Sequence, residues 1–545
     1  MDFKAEIEKL LKKEVGEVSL EIPPDSSMGD YALPCFSLAK ALKKNPVEIA
    51  KELASKIKSK YIEKIDVKGP YLNFYVNKGI LAKDTVNEIL KKKEKYGSSG
   101  IGKKEKLLIE HTSINPNASP HVGRARNALL GDSLVRLFRF QDYKVEVHYF
   151  VNDIGKQIAM LVLGAKGKVT FDSLLETYVK FNQDLKKNPR LEKDVFDLLA
   201  KLENGDKKVK EQFKNIVAIC IEGQEKILNK LGIKYDFYDY ESKYLFNKDT
   251  KEILKKLEKT GKLKTDEAGT IVDLSEYGLE MRNPVLVLTR NDGTSLYSLR
   301  DLAYNIEKLK KTKNNLIILG EDQKLYLQQI AAALDILGYK APRVLHYSFI
   351  LLQEGKMSTR EGNVVLLEEF MAEAKKKALN ELKKRGRADE KTAEMIGYGA
   401  LKYSILKVNP DKNVLFDWDV ALNFEGDSGP YIQYSHARAC SILENEKWKG
   451  KVDTTLLKEE KEIQLIDKLS KFGDVVLEAT NNLKPQVIAT YMNELARAFN
   501  EFYHECPVLK AEKSIKNARL ALVDATRQVL KNGLYLLGIE APEKM

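Results

Sequence analysis

Residues 107–124 read LLIEHTSINPNASPHVGR, and this stretch decides how the chain folds. The apolar residues 107–109 predict a short strand, and the Asn- and Pro-rich residues after them predict a turn. A helix follows, because apolar side chains recur at the spacing of one helical face, at Leu130, Leu134, Leu137 and Phe138. From residue 145 to 151 apolar and polar residues alternate as in a strand. Strand, helix and strand of this length form a βαβ unit, which predicts a parallel sheet.

Outward from this unit, the pattern divides the chain into three parts. Residues 1–98 combine helical patterns with short β-rich pieces such as 71–76, and the Gly- and Ser-rich residues 96–100 predict a linker. Residues 165–265 show long Lys- and Glu-rich helical patterns without strands, which predict a helical insertion in the sheet domain. After about residue 370 the pattern is helical to the end.

The sheet of the middle part is split in sequence. Strand-like runs resume after the insertion at residues 285–288, 316–319 and 344–352. The predicted fold class is therefore α/β, a parallel-sheet domain at 103–370 with a helical insertion at about 165–265. An N-terminal α+β module at 1–98 precedes it, and an all-α domain at 371–545 follows.

Composition excludes several classes of protein. The 545 residues are 43% hydrophobic, which argues against a disordered chain, and no uncharged apolar run approaches the length of a membrane span. The start of the chain mixes both charge signs, so we predict a cytoplasmic protein with no membrane partner. Four scattered cysteines without a C-x-x-C pair, and six histidines without H-E-x-x-H spacing, predict no structural zinc or other metal. The net charge of +12 is a weak indication of a phosphate-rich partner.

Residues 115–124 occupy the turn from the first strand into the helix, which is a place suited to anions. Unpaired backbone N–H groups and the helix dipole both favour negative charge at a helix N-terminus. Gly123 would let a base or ribose approach the backbone, while His121 and Arg124 could donate to phosphate oxygens. A histidine beside a helix start is also commonly a capping or core group.

Two motifs in this order carry a resemblance to a known family. HVGR at 121–124 resembles the HIGH motif of class I aminoacyl-tRNA synthetases, and GKMST at 355–359 resembles their KMSK loop. The stretches between and beyond them resemble the arginyl-tRNA synthetase family of the archaeal type. These stretches are EHTSINPNASPHVGRARN at 110–127, VNDIGKQ at 151–157, DGTSLYSLRDLAY at 292–304, the run at 416–438, the tail at 525–545 and GDYA at 29–32.

The resemblance implies a fold and a reaction. The middle domain would be a Rossmann-like catalytic domain that binds ATP with Mg2+ at the carboxyl ends of its strands, residues 1–98 a tRNA-binding module and residues 371–545 an anticodon-binding domain. The implied reaction joins L-arginine and ATP to arginyl-adenylate with release of pyrophosphate. Arginine then passes to tRNA(Arg) with release of AMP. We also expect a monomer.

The substrate's guanidinium cannot lose its proton, so its pocket needs carboxylates and flat neighbours. Tyr297 and Asp301 stand four apart and would share one face of a helix, although an exposed Tyr/Asp pair on an ordinary amphipathic helix has the same spacing. The resemblance adds Glu110, Asn115 and Gln323 to the arginine-binding set.

The resemblance also assigns catalytic and ATP-binding residues. The catalytic set is His121, Gly123, Arg124, Lys356 and Ser358, and Met357 joins His121, Gly123, Arg124 and Lys356 in binding ATP. Lys356 sits in a Gly-flanked loop, from which its charge could swing onto the pyrophosphate. Without the motif, Lys356 would be interpreted as an ordinary solvated lysine.

The chain departs from the family at the end of the HIGH motif, where Arg124 replaces the second histidine. Arg124 keeps a donor and adds a permanent charge, so phosphate binding is retained in principle with altered geometry. Relatives that lack the KMSK lysine carry a compensating lysine just before HIGH. This chain has Ala118 at that position and keeps Lys356, so it needs no compensating lysine.

For tRNA, the resemblance points to Tyr431, Tyr503 and Met545 against the anticodon and to Asn77 against the corner of the tRNA. An exposed tyrosine offers a stacking face for a base. A core tyrosine in a helix bundle is the alternative for Tyr431 and Tyr503.

Two rival functions stay open at this point. One is a class I synthetase for another amino acid, which Tyr297 and Asp301 disfavour. The other is a synthetase-like RNA-binding protein that has lost activation through Arg124, which the retention of His121, Asp301 and Lys356 disfavours.

Overall fold

A computed structural model describes residues 3–545 except 22, 24, 26, 27, 166, 247, 267, 268, 352–364, 388 and 451. It contains an N-terminal α+β module, a parallel-sheet domain and a helical C-terminal domain, as the sequence predicts. One hydrophobic core runs through all three parts. The domain boundaries stay predictions, and a single helix, Leu367–Lys384, crosses the expected limit at 370.

The N-terminal module packs helices against an antiparallel sheet of order β1-β3-β2. Leu72, Phe74 and Val76 of the central strand β3 are buried, so this strand fixes the helices to the sheet. The elements are α1 (Phe3–Val15), β1 (Tyr31–Pro34), α2 (Phe36–Leu42), α3 (Pro46–Lys56), β2 (Ile62–Lys68), β3 (Tyr71–Val76) and α4 (Lys78–Lys92).

The predicted linker is a docked segment. The Tyr96 hydroxyl donates to the Leu469 carbonyl at 2.9 Å, and the side chain is buried. Gly97 has φ +96°, and a Cβ there would lie 2.5 Å from the Phe472 ring. Glycine is needed at this position because the backbone passes directly over a buried aromatic of the C-terminal domain.

The middle domain is built on a five-stranded sheet of order β11-β10-β4-β5-β6, in which every pair is parallel. This confirms the parallel sheet predicted from the βαβ unit. The strands are β4 (Lys106–Glu110), β5 (Lys144–Val151), β6 (Phe237–Tyr240), β10 (Asn315–Gly320) and β11 (Arg343–Tyr347). The chain leaves β4 toward β5 and later returns to its other side as β10, so the topological switch point lies between β4 and β10. Ligands bind at the carboxyl ends of the strands at such a point.

The helices of this domain surround the sheet. They are α5 (Val122–Phe140), α6 (Lys156–Gly164), α7 (Phe171–Lys187), α8 (Arg190–Glu203), α9 (Lys207–Lys230), α10 (Ser242–Phe246), α11 (Asp249–Glu258), α12 (Tyr297–Lys311) and α13 (Lys324–Ile336).

Two strand expectations for this domain were wrong. The stretch 165–265 is not purely helical, because β6 within it forms the edge of the sheet. Its four residues are three aromatics and one aspartate, exposed at both ends and partly buried between, so they give no apolar run. The run at 285–288 does not join the main sheet. It forms β9 (Val285–Val287) of an antiparallel sheet with β7 (Leu263–Asp266) and β8 (Gly269–Asp273).

The C-terminal part is helical apart from one short strand that the sequence did not predict. That strand is β13 (Val414–Leu415), which pairs with β12 (Ile350–Leu351). The helices are α14 (Leu367–Lys384), α15 (Glu390–Leu406), α16 (Trp418–Ala421), α17 (Gly429–Asn445), α18 (Glu460–Ser470), α19 (Phe472–Asn481), α20 (Pro485–Glu505) and α21 (Lys513–Leu536). None of the helices in the described part of the chain is apolar over a length that would cross a membrane.

Candidate active site

The turn after β4 is held in an unusual conformation at the switch point. Thr112 has φ +75° and Ser113 has φ +44°, values that residues other than glycine rarely adopt. Three hydrogen bonds hold the turn there. The Thr112 N–H donates to Asn127 at 2.6 Å, the Tyr235 hydroxyl donates to the Thr112 hydroxyl at 2.7 Å, and the Phe150 N–H donates to the Ser113 hydroxyl at 3.2 Å. Strain of this kind persists only where the surroundings impose it, and it is common at functional sites.

Helix α5 links the turn after β4 to β10, the two strands on either side of the switch point. The Asn127 side-chain amide donates to the Ile318 carbonyl of β10 at 2.8 Å, while its oxygen accepts from the β4 turn. A Cβ at Gly131 would lie 2.2 Å from the His111 ring, so the helix approaches the strand end closely. The N-terminus of α5 is therefore fixed above the switch point.

The insertion positions the loop that leads into α5. Gln224 of α9 is buried, and its side-chain amide donates to the carbonyls of Asn115 at 3.1 Å and Ala118 at 3.0 Å. Its amide oxygen lies 2.8 Å from the Tyr149 hydroxyl. The Asn115 side chain is exposed at the turn. Sequence analysis missed Gln224, because nothing local marks one polar residue on a long helix.

His121 is the N-cap of α5, and its imidazole makes no capping hydrogen bond. Its Nδ1 is buried and has no hydrogen-bond partner among the described residues. Burial lowers the pKa of His121 to about 4, and the nearby Arg124 charge acts in the same direction. The ring is therefore neutral near pH 7, and it has a nitrogen available to a ligand. Gly123 is partly exposed in the first turn of the same helix.

Arg124 is exposed at the N-terminus of α5, on the side of the sheet. Its guanidinium acts to lower the pKa of the Tyr347 phenol at the end of β11, although burial dominates and raises that pKa. The guanidinium charge therefore lies near Tyr347, at the carboxyl end of β11.

Asp301 and Tyr297 lie near each other at the start of α12, as their spacing predicts. The partly buried Asp301 carboxylate accepts hydrogen bonds from the Tyr326 hydroxyl and from the Asn305 side-chain amide, both at 2.9 Å. Among the residues that the structure describes, no lysine, arginine or histidine forms an ion pair with it. Burial raises the pKa of Asp301 to about 6, against the opposing charge of Lys308. A partly buried carboxylate without a cationic partner among the described residues can accept a cation from a ligand.

Aromatic rings flank this carboxylate. Tyr297 is 57% exposed, and its ring centroid lies 5.2 Å from that of Tyr326. Tyr326 comes from α13, so no local pattern could have shown that it binds Asp301. The two rings supply the flat surfaces on which a guanidinium stacks.

Two other acidic groups in this region have basic partners among the described residues. Glu110 forms a buried ion pair with Lys308. Glu241 accepts from Arg300 at 2.7 Å, and burial raises its pKa. Sequence analysis missed Lys308, although it stands seven residues after Asp301 on the same helix.

Gln323 does not join this cluster in the structure. Its side chain is exposed and donates to the Asp322 carboxylate at 3.1 Å, in the short turn after β10. Its place in the arginine-binding set stays a prediction.

The predicted lysine loop follows β12. Lys356, Met357 and Ser358 lie outside the described residues. The flanking structure is anchored by Arg126 of α5, which is buried and donates to the carbonyls of Ser348, Asn409 and Lys412 at 2.6 to 2.9 Å. Burial lowers the pKa of Arg126 to about 10. This residue therefore fixes the α5 N-terminus relative to the strand from which the loop departs.

Among the described residues, no three His, Cys, Asp or Glu side chains are grouped so as to hold a metal ion. The four cysteines are free. The expectation of no structural zinc stays a prediction.

The C-terminal domain carries an aromatic and basic cluster on α17 and α20. The Arg438 guanidinium lies 4.7 Å from the Tyr434 ring centroid and 5.2 Å from that of Tyr503, and Tyr503 is 42% exposed. Tyr431 is partly buried against the core, and Met545 packs on the smaller cluster between α14 and α15. These positions suit stacking for Tyr503 more than for Tyr431.

Asn77, the predicted contact to the corner of the tRNA, caps α4. Its side-chain oxygen accepts from the Ile80 N–H at 3.0 Å. This structural role leaves its amide nitrogen available, and the contact stays a prediction.

Comparison with known proteins first gives the class. A solved structure of Mycobacterium tuberculosis methionyl-tRNA synthetase superimposes with a TM-score of 0.52 at 12% identity, covering 81% of this chain and 92% of that one, which shows a shared fold. The family model for class I (R) tRNA synthetase catalytic domains matches residues 85–418. Fold and site together define a class I aminoacyl-tRNA synthetase.

Closer relatives give the family. The chain is 41% identical to the arginine–tRNA ligase of Methanocaldococcus jannaschii over the whole length of both proteins. The structure of Thermus thermophilus arginyl-tRNA synthetase superimposes with a TM-score of 0.84 at 27% identity, covering 99% of this chain and all of that one. Models of the arginyl-tRNA synthetase N-terminal domain and the DALR anticodon-binding domain match residues 1–76 and 432–545. The chain belongs to the arginyl-tRNA synthetase family.

Proposed function

We propose that this protein charges tRNA(Arg) with L-arginine, using ATP and Mg2+ and forming an arginyl-adenylate. The observation that carries the proposal is the partly buried Asp301 carboxylate, which accepts from Tyr326 beside the Tyr297 ring and has no cationic partner among the described residues. It lies in the domain whose switch point is capped by the N-terminus of α5. In this proposal the cationic amino acid and the phosphate chain bind within the same domain.

In the first step, the arginine carboxylate attacks the α-phosphorus of ATP. The new bond joins a carboxylate oxygen to phosphorus, and the bond from the α-phosphorus to the bridging oxygen breaks, so pyrophosphate leaves with its magnesium. No protein nucleophile is required, and the rate gain comes from positioning and charge stabilisation. Asp301 holds the guanidinium with Tyr297, and Asn115 reaches the polar end of the amino acid.

The phosphates lie at the α5 N-terminus in this proposal. The neutral His121 and the guanidinium of Arg124 donate to phosphate oxygens, and Gly123 admits the nucleotide close to the backbone of the first turn. Lys356 and Ser358 contact the leaving pyrophosphate, and Met357 packs on the nucleotide. In the second step, a hydroxyl of the terminal ribose of tRNA attacks the arginyl carbonyl, and AMP leaves.

The C-terminal cluster is the proposed anticodon platform. Tyr503 presents an exposed ring beside Arg438, a combination that binds an unstacked base and its phosphate together. Tyr431 and Met545 complete the contact, and Asn77 reaches the tRNA corner from the N-terminal module. The monomeric state and the cytoplasmic location are proposals that rest on the sequence.

The test is ATP–pyrophosphate exchange with each of the twenty amino acids, measured with and without tRNA. We expect exchange with arginine alone among them, and stimulation by tRNA(Arg). Exchange with a different amino acid would indicate another class I specificity. Binding of tRNA with no exchange under any condition would indicate an RNA-binding protein that has lost activation.

Replacing Lys356 by alanine tests the transition-state role of the loop. Because its charge is needed as negative charge moves onto the pyrophosphate, Lys356→Ala should lower the kcat of exchange by about 100-fold or more and change the KM for arginine little. Lys375→Ala, a lysine outside the site, is the matched control. A change confined to tRNA affinity would remove Lys356 from the chemistry.

A further inference from the structure

The buried ion pair between Glu110 and Lys308 bears directly on the open carboxylate of Asp301. Both charged groups are almost fully buried, with side-chain exposures of 9% for Glu110 and 2% for Lys308. Two carboxylates and one internal ammonium therefore share one desolvated region. The internal ammonium can neutralise only one of the two.

Lys308 is paired with Glu110, and its charge also acts on Asp301. It stands seven residues after Asp301 on α12, two turns along the same face. Its ammonium is directed back along the helix, 4.1 Å from the centroid of the Tyr304 ring, and its charge already lowers the pKa of Asp301 against the effect of burial. The ion pair to Glu110 at the end of β4 and the contact with the Tyr304 ring hold it in its present position.

We propose that Glu110 is a positioning residue that acts on arginine through Lys308: it withholds the internal lysine from Asp301 and so keeps that carboxylate open to the substrate. In this arrangement Glu110 does not touch the guanidinium. The inference rests on the proposed arginine site, and it replaces the expected direct contact of Glu110 with an indirect one.

If this is correct, the rise in the KM for arginine caused by one substitution should be reversed by a second substitution. In Glu110→Gln, Lys308 loses its anion and turns to Asp301, so arginine must displace an internal cation. The KM for arginine should rise by about 10- to 100-fold, the range for one charge-assisted hydrogen bond. In the double variant Glu110→Gln, Lys308→Met no internal cation competes, and the KM should return to within about threefold of the wild-type value.

A direct contact predicts the opposite. If Glu110 binds the guanidinium itself, the double variant is impaired as much as Glu110→Gln or more, and this result would overturn the proposal. Should Glu110→Gln not fold, as thermal unfolding followed by circular dichroism would show, Lys308→Met and the double variant still decide. Equal KM values for arginine in these two support the proposal, and a KM at least tenfold higher in the double variant overturns it.

The pH dependence of the KM for arginine separates the proposed role of Glu110 from a purely structural one, because a structural role would leave it unchanged. The groups that act on Asp301 are Lys308 on its own helix, Glu110 from β4, Tyr326 from α13 and Glu241 after β6. In Glu110→Gln the nearer ammonium favours the ionised carboxylate, so the acid-side rise in KM for arginine should move to lower pH by about one unit. An unmoved profile in a folded Glu110→Gln variant would contradict the proposal. Absence of arginine-dependent exchange in the wild-type protein would instead contradict the proposed function.

Discussion

Replacing Asp301 by alanine is expected to raise the KM for arginine in ATP–pyrophosphate exchange by about two to three orders of magnitude. The carboxylate is partly buried and has no other cation among the described residues, so the substrate guanidinium would be left in the pocket without its counterion. Removing one partner of such a pair costs about 3–5 kcal/mol. Asp301→Asn keeps the shape without the charge and should be nearly as impaired.

The matched control is Glu307→Gln on the same helix, whose carboxylate pairs with Lys243 and Tyr244 away from the pocket. It should leave the KM for arginine within about twofold. An unchanged KM in Asp301→Ala would remove this residue from the arginine site.

The pH dependence of the wild-type protein is a consequence of the same carboxylate. Burial raises the pKa of Asp301 to about 6, so the group is ionised above that pH and increasingly protonated below it. Arginine binds the ionised form, and protons therefore compete with the substrate. The KM for arginine should be flat above about pH 7 and rise about tenfold per unit below pH 5 to 6. A KM that is constant down to pH 5 would show that Asp301 is ionised without the substrate.

Replacing Arg124 by alanine is expected to lower the kcat of exchange by about 10- to 1000-fold, the range for losing one donor to a transition-state charge. The guanidinium lies near the carboxyl end of β11, close enough to act on the pKa of Tyr347. A charge in this place is suited to the phosphates of ATP. Arg124→His should retain substantial activity, because it restores the family's motif at the same helix turn.

Arg139→Ala, in the last turn of α5, is the matched control and should be nearly silent. Turnover within about twofold of wild type in both Arg124 variants would assign the phosphates to His121 and the helix N-terminus alone. An inactive wild-type protein that Arg124→His rescues would favour the RNA-binding alternative over the enzyme.

The sequence by itself determined the features that depend on neighbours along the chain. Apolar spacing between residues 107 and 151 predicted β4, α5 and β5, since a strand or helix shows its buried face as a period in its own residues. The spacing of Tyr297 and Asp301 likewise predicted their common face, because it is fixed by the pitch of a single helix. The motif residues at 121–124 likewise identified the N-terminus of α5, because a motif consists of consecutive residues and needs no knowledge of distant contacts.

Only the tertiary structure decided which groups are paired in the pocket. Lys308 meets Glu110 across 198 positions of sequence, Tyr326 reaches Asp301 from another helix, and Gln224 holds the loop before α5 from the insertion. The edge strand β6 was missed because its side chains are exposed or only partly buried and show no apolar period. Whether a carboxylate has a cationic partner depends on how distant elements pack and on the desolvation that this packing imposes. Neither can be predicted from the local pattern of residues.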